Sequence, residues 1–359
     1  MIHISKRVSM PKWQGWLIRL AAVGIALLVN AALIYALTKL NPIRVYITMF
    51  QGAFGTQRRI WNTLADTAML LCIGVGLAPA FKMKFWNIGA EGQILVGGLA
   101  SAACMIYFKS IPSGILLLIM FILSGLAGGI WGAIPAVSKV KLNTNETLFT
   151  LMMNYIAIQL TSYFVALWEN PKGSNCVNII NPDTNIGWFP AVFGRQYLLN
   201  VVIVMIMVVL MYLYLKRTKH GYEIAVVGAS KSTARYAAID VNKVTIRTVS
   251  LSGAICGIAG FIAVAGQSHT ISTNTAGGKG FIAIIVAWLS KFNTFVMILV
   301  SLLLVFLDKG ATEIASSFGL NEYVSQIISG IILFFVLGSE FFVNYQVKFR
   351  GKKTGGASK

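Results

Sequence analysis

Long apolar stretches, separated by short polar or basic connections, follow one another along most of this chain. A helix crosses the roughly 30 Å hydrocarbon core of a bilayer with about 20 apolar residues. The stretches at 16–38, 62–81, 88–108, 111–137, 148–168, 197–215, 248–266, 279–290, 293–307 and 323–343 fit that pattern. They predict an all-α polytopic membrane protein with about ten transmembrane segments. The pair within 279–307 is short and is divided by Lys291 and Asn293. It reads either as one long helix burying a lysine or as two short segments that turn at Lys291. Short or interrupted segments line transport paths in some membrane proteins and are plain bent helix pairs in others. The connections at 169–196 and 216–247 are long, and 351–359 is a Gly/Lys/Ser-rich end.

Composition supports the pattern. Of 359 residues 57% are apolar and only 11% charged, and the mean hydropathy is +0.74. A soluble globule cannot cover that much apolar surface with so few charges, and a disordered chain is poorer in apolar residues. The net charge of +19 alone would suit a nucleic-acid binder, but the hydropathy excludes one.

The position of the charge orients the chain. Basic residues collect on the cytoplasmic side of membrane proteins. With ten spans and the N-terminus inside, most of the basic residues fall inside, seven of them in 216–247. Lys39, Arg44, Arg58, Arg59, Lys109, Lys172, Arg195, Lys279 and Lys309 fall outside. Merging 279–290 with 293–307 would send the basic C-terminal end outside, so the count of ten and cytoplasmic termini are preferred. The resulting parts are a cytoplasmic segment (1–15), a transmembrane domain (16–345) with an outer loop (169–196) and an inner loop (216–247), and a basic cytoplasmic tail (346–359). The apolar run at 20–37 is longer than a signal-peptide core, and no clear small-residue cleavage site follows it, so it reads as an uncleaved first helix.

Candidate chemistry is sparse. Cys72, Cys104 and Cys256 lie in apolar runs and Cys176 in a loop, and no Cys/His spacing suits a metal or a disulfide framework. There is no phosphate-binding G-x-x-x-x-G-K-[ST], no metalloprotease motif and no nucleophile elbow. The chain is therefore read as having no catalytic residue, no metal and no cofactor, and not as an enzyme. Three segments stand out. Phe85-Trp86-Asn87-Ile88-Gly89-Ala90-Glu91-Gly92-Gln93 places Asn87, Glu91 and Gln93 at the entrance of the third span. An acid there marks either a functional site or a helix cap. Thr144 or Asn145 can cap the fifth span, with Glu146 or Thr147 in its first turn, as caps or as pathway residues, and Asn154 lies deeper, where it must bond across helices or face water. In the inner loop, Gly221 and Gly228 bracket a short helix, and Ser230 or Ser232 caps a second ending near Ala238. Lipid headgroups would explain the charge of this loop, whereas two small helices suit docking to another protein. Small-residue pairs at Gly125/Gly129, Gly128/Gly132 and Gly253/Gly257 suit close packing within the chain.

Those segments carry a resemblance. Residues 85–93 resemble the "FNIGAEGQ" signature of permease subunits of nucleoside and simple-sugar ABC importers, and 145–157 resemble that family's "NEVxxTLMxNYIA". Gly221-Tyr222-Glu223, Val227-Gly228 and Ala234-Arg235-Tyr236-Ala237 resemble its cytoplasmic coupling segment. Ser252-Gly253-Ala254, Gly280-Phe281 and Asn293 continue the match, which covers roughly residues 40–345. The chain departs from the family at Ile282-Ala283, where relatives often carry Asp-Gly, and at Ser290-Lys291-Phe292-Asn293-Thr294, which stands for "GRLNP". The resemblance implies a multi-pass permease of a bacterial plasma membrane that works by alternating access. It implies an ABC ATPase subunit docked on the inner loop, a second and often different permease, an extracellular substrate-binding lipoprotein and surrounding membrane lipids, with no nucleic acid. It implies nucleosides first and simple sugars second. It places Asn87, Glu91, Gln93, Asn145, Glu146 and Asn154 in the translocation region and Gly221, Tyr222, Glu223, Gly228, Arg235 and Tyr236 in ATPase coupling. The rival readings are a stand-alone secondary carrier or channel, which the short pair would suit, and a membrane enzyme, which lacks any catalytic constellation.

Overall fold

The structure, a computed structural model, describes residues 2–6 and 12–349. Residues 1 and 7–11 of the expected N-terminal segment and 350–359 of the expected basic tail lie outside the described residues. The helices are α1 (Lys12–Thr38), α2 (Pro42–Phe54), α3 (Gln57–Lys82), α4 (Ala90–Tyr107), α5 (Ser113–Leu142), α6 (Glu146–Trp168), α7 (Leu198–Arg217), α8 (Lys219–Ala229), α9 (Lys231–Tyr236), α10 (Val241–Ala263), α11 (Lys279–Leu289), α12 (Thr294–Phe318) and α13 (Glu322–Asn344). A π-helical turn, Val264–Ser268, prolongs α10. Two short strands, β1 (Ile2–Lys6) and β2 (Tyr345–Phe349), pair antiparallel with Ile4 opposite Val347.

Among the described residues eight helices are long and apolar enough to cross a membrane: α3 to α7, α10 with its π turn, α12 and α13. They coincide with eight of the ten expected segments. Of the other two expected segments, 16–38 falls on α1, several of whose side chains lie outside the described residues, and 279–290 is α11, with 11 residues. At 1.5 Å per residue α11 is about 16 Å long, half of a hydrocarbon core.

Among the boundaries that depart from the hydropathy pattern, three are instructive. Residues 42–54, expected in a connection, form α2. Asn41 accepts from the Ile43 amide (2.9 Å), Pro42 sits in the first turn, and Val45, Met49 and Ala53 face inward. The short segment expected at 293–307 runs on to Phe318 as α12, and in the added turns Glu313 pairs with Arg59 at 2.9 Å. The segment expected at 248–266 begins at Val241, because Asp240 accepts from the amides of Asn242 and Lys243, both at 3.1 Å.

The described chain divides into two compact units, 1–60 with 304–359 and 61–303. In the first, α1 packs against α13, and the buried Asn30 amide donates to the Ile328 carbonyl (2.8 Å). In the second, α4, α5 and α10 form the centre. The apolar windows of α3 and α10 are 89% and 83% buried, against 22% and 28% for α5 and α7. The first pair is therefore enclosed along most of its length, whereas α5 meets α4 and α10 along one face and, like α7, turns its remaining apolar surface outward.

Glycines allow this centre to close. A Cβ built on Gly257 would lie 2.2 Å from the Ser124 carbonyl oxygen, and one on Gly128 would lie 2.4 Å from that of Gly253. Backbones meet with no side chain between them, as close helix packing in membranes requires. Gly257→Leu is expected to cost at least about 3 kcal/mol, the upper range of overpacking. Gly330→Ala, with nothing within 4 Å of the added carbon, is the neutral control. Thermal unfolding in detergent compares them, and equal midpoints would refute the tight seam.

Candidate functional site

Four of the six expected translocation residues converge at the start of α4. The preceding segment, 83–89, is not helical, so its backbone polar groups need partners. Side chains supply them. The fully buried Asn87 accepts from the Gly89 amide (3.1 Å), and it exchanges amide contacts with Gln93 at 3.3 and 3.4 Å. Its Nδ2 donates to Ser252 Oγ of α10 (3.1 Å). Asn154 of α6 donates to the Ile88 carbonyl (2.9 Å) and accepts from the Gly92 amide (2.8 Å), so it bonds across helices. Thr150 Oγ1 accepts from the Ile88 amide (3.2 Å). The other two residues lie apart. Asn145 is an exposed cap that accepts from the Thr147 and Leu148 amides, and Glu146 pairs with Lys139 at 2.9 Å.

Glu91 is a cap, but for a different helix. Its Oε1 accepts from the Gly278 amide (2.7 Å) and its Oε2 from the Gly280 amide (2.9 Å), across the first turn of α11. A carboxylate at a helix N-terminus meets free N–H groups and the positive end of the dipole. Gly280 must be a glycine here, since a Cβ would lie 2.6 Å from the Glu91 nitrogen and 2.7 Å from Glu91 Oε2. Beside this cap, Lys279 Nζ lies 3.0 Å from Asp66 Oδ1 and 3.4 Å from Met69 Sδ. Asp66 is the tenth residue of α3, about 14 Å along its axis. Hydropathy assigned Lys279 to the outer side, yet it ends on an acid well inside a spanning helix. The sequence did carry a signal for Asp66, as the single acid within 62–81, and intramembrane acids mark sites. Ser252 and Thr150 carried none, because an isolated hydroxyl in an apolar helix is common.

The far end of α11 is held by aromatic rings. Trp86 stacks on Trp288 with centroids 5.3 Å apart, and Phe292 meets Trp288 edge-on at 5.4 Å. At the opposite end of α10, the outer loop docks on the π turn. The Ile180 amide donates to the His269 carbonyl and the Phe189 amide to the Ala265 carbonyl, both at 2.9 Å, and Trp188 stacks on His269.

The inner loop forms α8 and α9, capped by Thr218 and Ser230. Gly221 and Gly228 turn inward: a Cβ on them would lie 2.4 Å from the Tyr214 carbonyl oxygen and 2.1 Å from that of Lys82. His220 Nδ1 bonds to the Tyr214 hydroxyl, and burial holds its imidazole below the usual histidine range. The Lys243 amide holds the Asp240 carboxyl below the usual aspartate range. Outward stand Tyr222, Arg235 and Tyr236, with Tyr222 63% and Tyr236 93% exposed, while Glu223 is half-buried.

The family described as "Branched-chain amino acid transport system / permease component" matches residues 59–337. This chain belongs to that family. The matched part of the permease holds both the α4–α11 junction and the α8–α9 surface. Several curated relatives cover nearly its whole length. It is 28% identical to the guanosine ABC transporter permease protein NupP of Bacillus subtilis, over 87% of this chain and 90% of the relative. It is 26% identical to the nucleoside ABC transporter permease protein NupB of Lactococcus lactis, over 89% and 90%. It is also 26% identical to the glucose ABC transporter permease protein TsgB13 of Haloferax volcanii, over 96% and 93%. No solved structure matches the permease.

Proposed function

We propose that the chain is the transmembrane permease subunit of an ATP-driven importer that moves nucleosides by alternating access. The observation that carries this reading is the α8–α9 unit, whose glycine face is locked to the ends of α3 and α7 while Tyr222, Arg235 and Tyr236 stand free. A rigid platform with exposed aromatic and cationic side chains suits a protein partner, here a cytoplasmic ATPase. ATP hydrolysis is assigned to that partner, capture of substrate outside to a binding lipoprotein, and the other half of the pathway to a second permease. The permeases for guanosine and nucleosides among the relatives favour nucleosides. The glucose permease, which covers most of the chain, favours simple sugars as the second reading.

Topology follows from the same parts. Pairing of β1 with β2 puts the start of α1 and the end of α13 on one side, which supports an even number of crossings and both termini inside. Residues 269–278 and the half-length α11 would then make one crossing together. In this scheme Asn87, Gln93 and Asn154 hold an unwound pathway wall, Glu91 fixes the half-helix, and Asn145 and Glu146 shape its inner rim.

Liposomes containing the permease with its ATPase, partner permease and binding protein test the reading. Tyr236→Ala, which removes no buried contact, is expected to lower ATP-dependent nucleoside uptake by about tenfold, as loss of an interface anchor worth over 1 kcal/mol does. Binding-protein affinity should stay unchanged. Uptake that persists without ATPase would overturn the importer reading, and uptake blocked by glucose but not by guanosine would favour the sugar reading.

A further inference from the structure

We propose that the cavity at the α8 end of the bundle, where α3 and α7 finish and α12 begins, binds a phosphate group, carried by an anionic lipid headgroup or free in solution. The cavity measures about 260 Å³, and Lys82, Lys216 and Lys291 line it from three different elements, together with Tyr212, Asn293 and Thr294. No carboxylate is among the lining residues. Of these, Lys82 and Lys216 act on each other as like charges, a repulsion that a counter-ion would relieve. Lys216 is held in place by the Tyr212 side chain, with Nζ 3.1 Å from the hydroxyl and 4.6 Å from the ring centroid.

Two further observations point to an anion. The cavity abuts the N-terminus of α12, a 25-residue helix whose first-turn N–H groups and dipole favour negative charge. Asn293 caps only the Phe295 amide there, at 3.1 Å. Thr294, 2% exposed, lines the cavity, and its hydroxyl has no hydrogen-bond partner. A buried hydroxyl without a partner is costly and marks a missing ligand or water. Phosphate fits better than carboxylate, because its tetrahedral oxygens can serve three ammonium groups, a helix end and a hydroxyl from different directions, whereas two coplanar oxygens cannot. On the proposed topology the cavity sits at the cytoplasmic end of the spans, at the level of headgroups that include anionic lipid.

Native mass spectrometry of the full chain in neutral detergent tests this with phosphatidylglycerol, phosphatidylcholine and inorganic phosphate as probes. Phosphatidylglycerol should bind in preference to phosphatidylcholine. The combined Lys82→Gln, Lys216→Gln and Lys291→Gln variant should weaken it by at least about tenfold, since bonds to charged groups are strong. Thr294→Val should weaken it less and Thr294→Ser hardly at all. Displacement of the lipid by millimolar inorganic phosphate, or variant-sensitive phosphate binding alone, would assign the site to free phosphate. Equal binding of both lipids without any phosphate binding would overturn the proposal. So would an intact affinity in the lysine variant, or the same loss in a Lys109→Gln, Lys172→Gln control on the opposite side. The readout is binding, so its outcome is independent of whether the chain transports nucleosides.

Discussion

Glu91→Ala should stop ATP-driven uptake while the chain still inserts into the membrane. The Glu91 carboxylate is the acceptor for the Gly278 and Gly280 amides at the head of α11. Removing it leaves two N–H groups without partners, at roughly 1–3 kcal/mol each, and forfeits the favourable dipole contact. A loss of about 3 kcal/mol lowers the equilibrium constant for seating α11 by over about 100-fold. Glu91→Gln is not a mild change, because one of its two terminal atoms becomes an NH₂ facing an N–H. Glu91→Asp falls short by one methylene and should retain partial activity. Uptake in proteoliposomes and thermal unfolding in detergent measure both arms. An alanine variant within twofold of wild type in uptake, with an unchanged midpoint, would remove Glu91 from any role in positioning α11.

Lys279→Met should destabilise the protein, and adding Asp66→Leu should restore most of the loss. Breaking a buried ion pair strands a charge at about 3–5 kcal/mol. Here the side chains keep 27% and 20% of their exposure, so about 2 kcal/mol is the better expectation after solvent screening. Replacing both partners by apolar residues removes the stranded charge, and the double variant should lie within about 1 kcal/mol of the wild type. A denaturant-unfolding cycle over the four proteins reads the coupling directly. Single variants with no cost, or a double variant as poor as the sum of the two, would show that the pair does not hold α11 to α3.

Much of the fold was legible because hydropathy has a length scale. Eight expected spans reappear as α3 to α7, α10, α12 and α13, and the inner loop does form two short helices, although Gly221 and Gly228 lie within α8, facing inward, rather than at its ends. Asn87, Glu91 and Asn154 were visible because an amide or acid within an apolar run must find a partner. Which partner it finds was not visible. Capping by Glu91 was foreseeable, but the capped helix begins 188 residues later, at Lys279. Asp66 and Lys279 read as a stray acid and an outer lysine until they met.

The sequence alone determined that the chain is a membrane-spanning permease, where most of its helices lie and which short segments carry its polar chemistry. Those properties depend on run length, caps and local motifs, all of which are written in consecutive residues. The tertiary structure alone decided that α3 and α10 are enclosed on nearly every side while α5 and α7 keep an outward face, that α11 is a half-length helix held by Glu91 and by the Lys279–Asp66 pair, and that three lysines and Thr294 share one cavity. Apart from a few polar positions the stretches are apolar all round, so mean hydropathy does not say which face meets protein and which meets lipid. Those choices depend on close backbone approach and on partners far apart in the chain, and only packing brings them together.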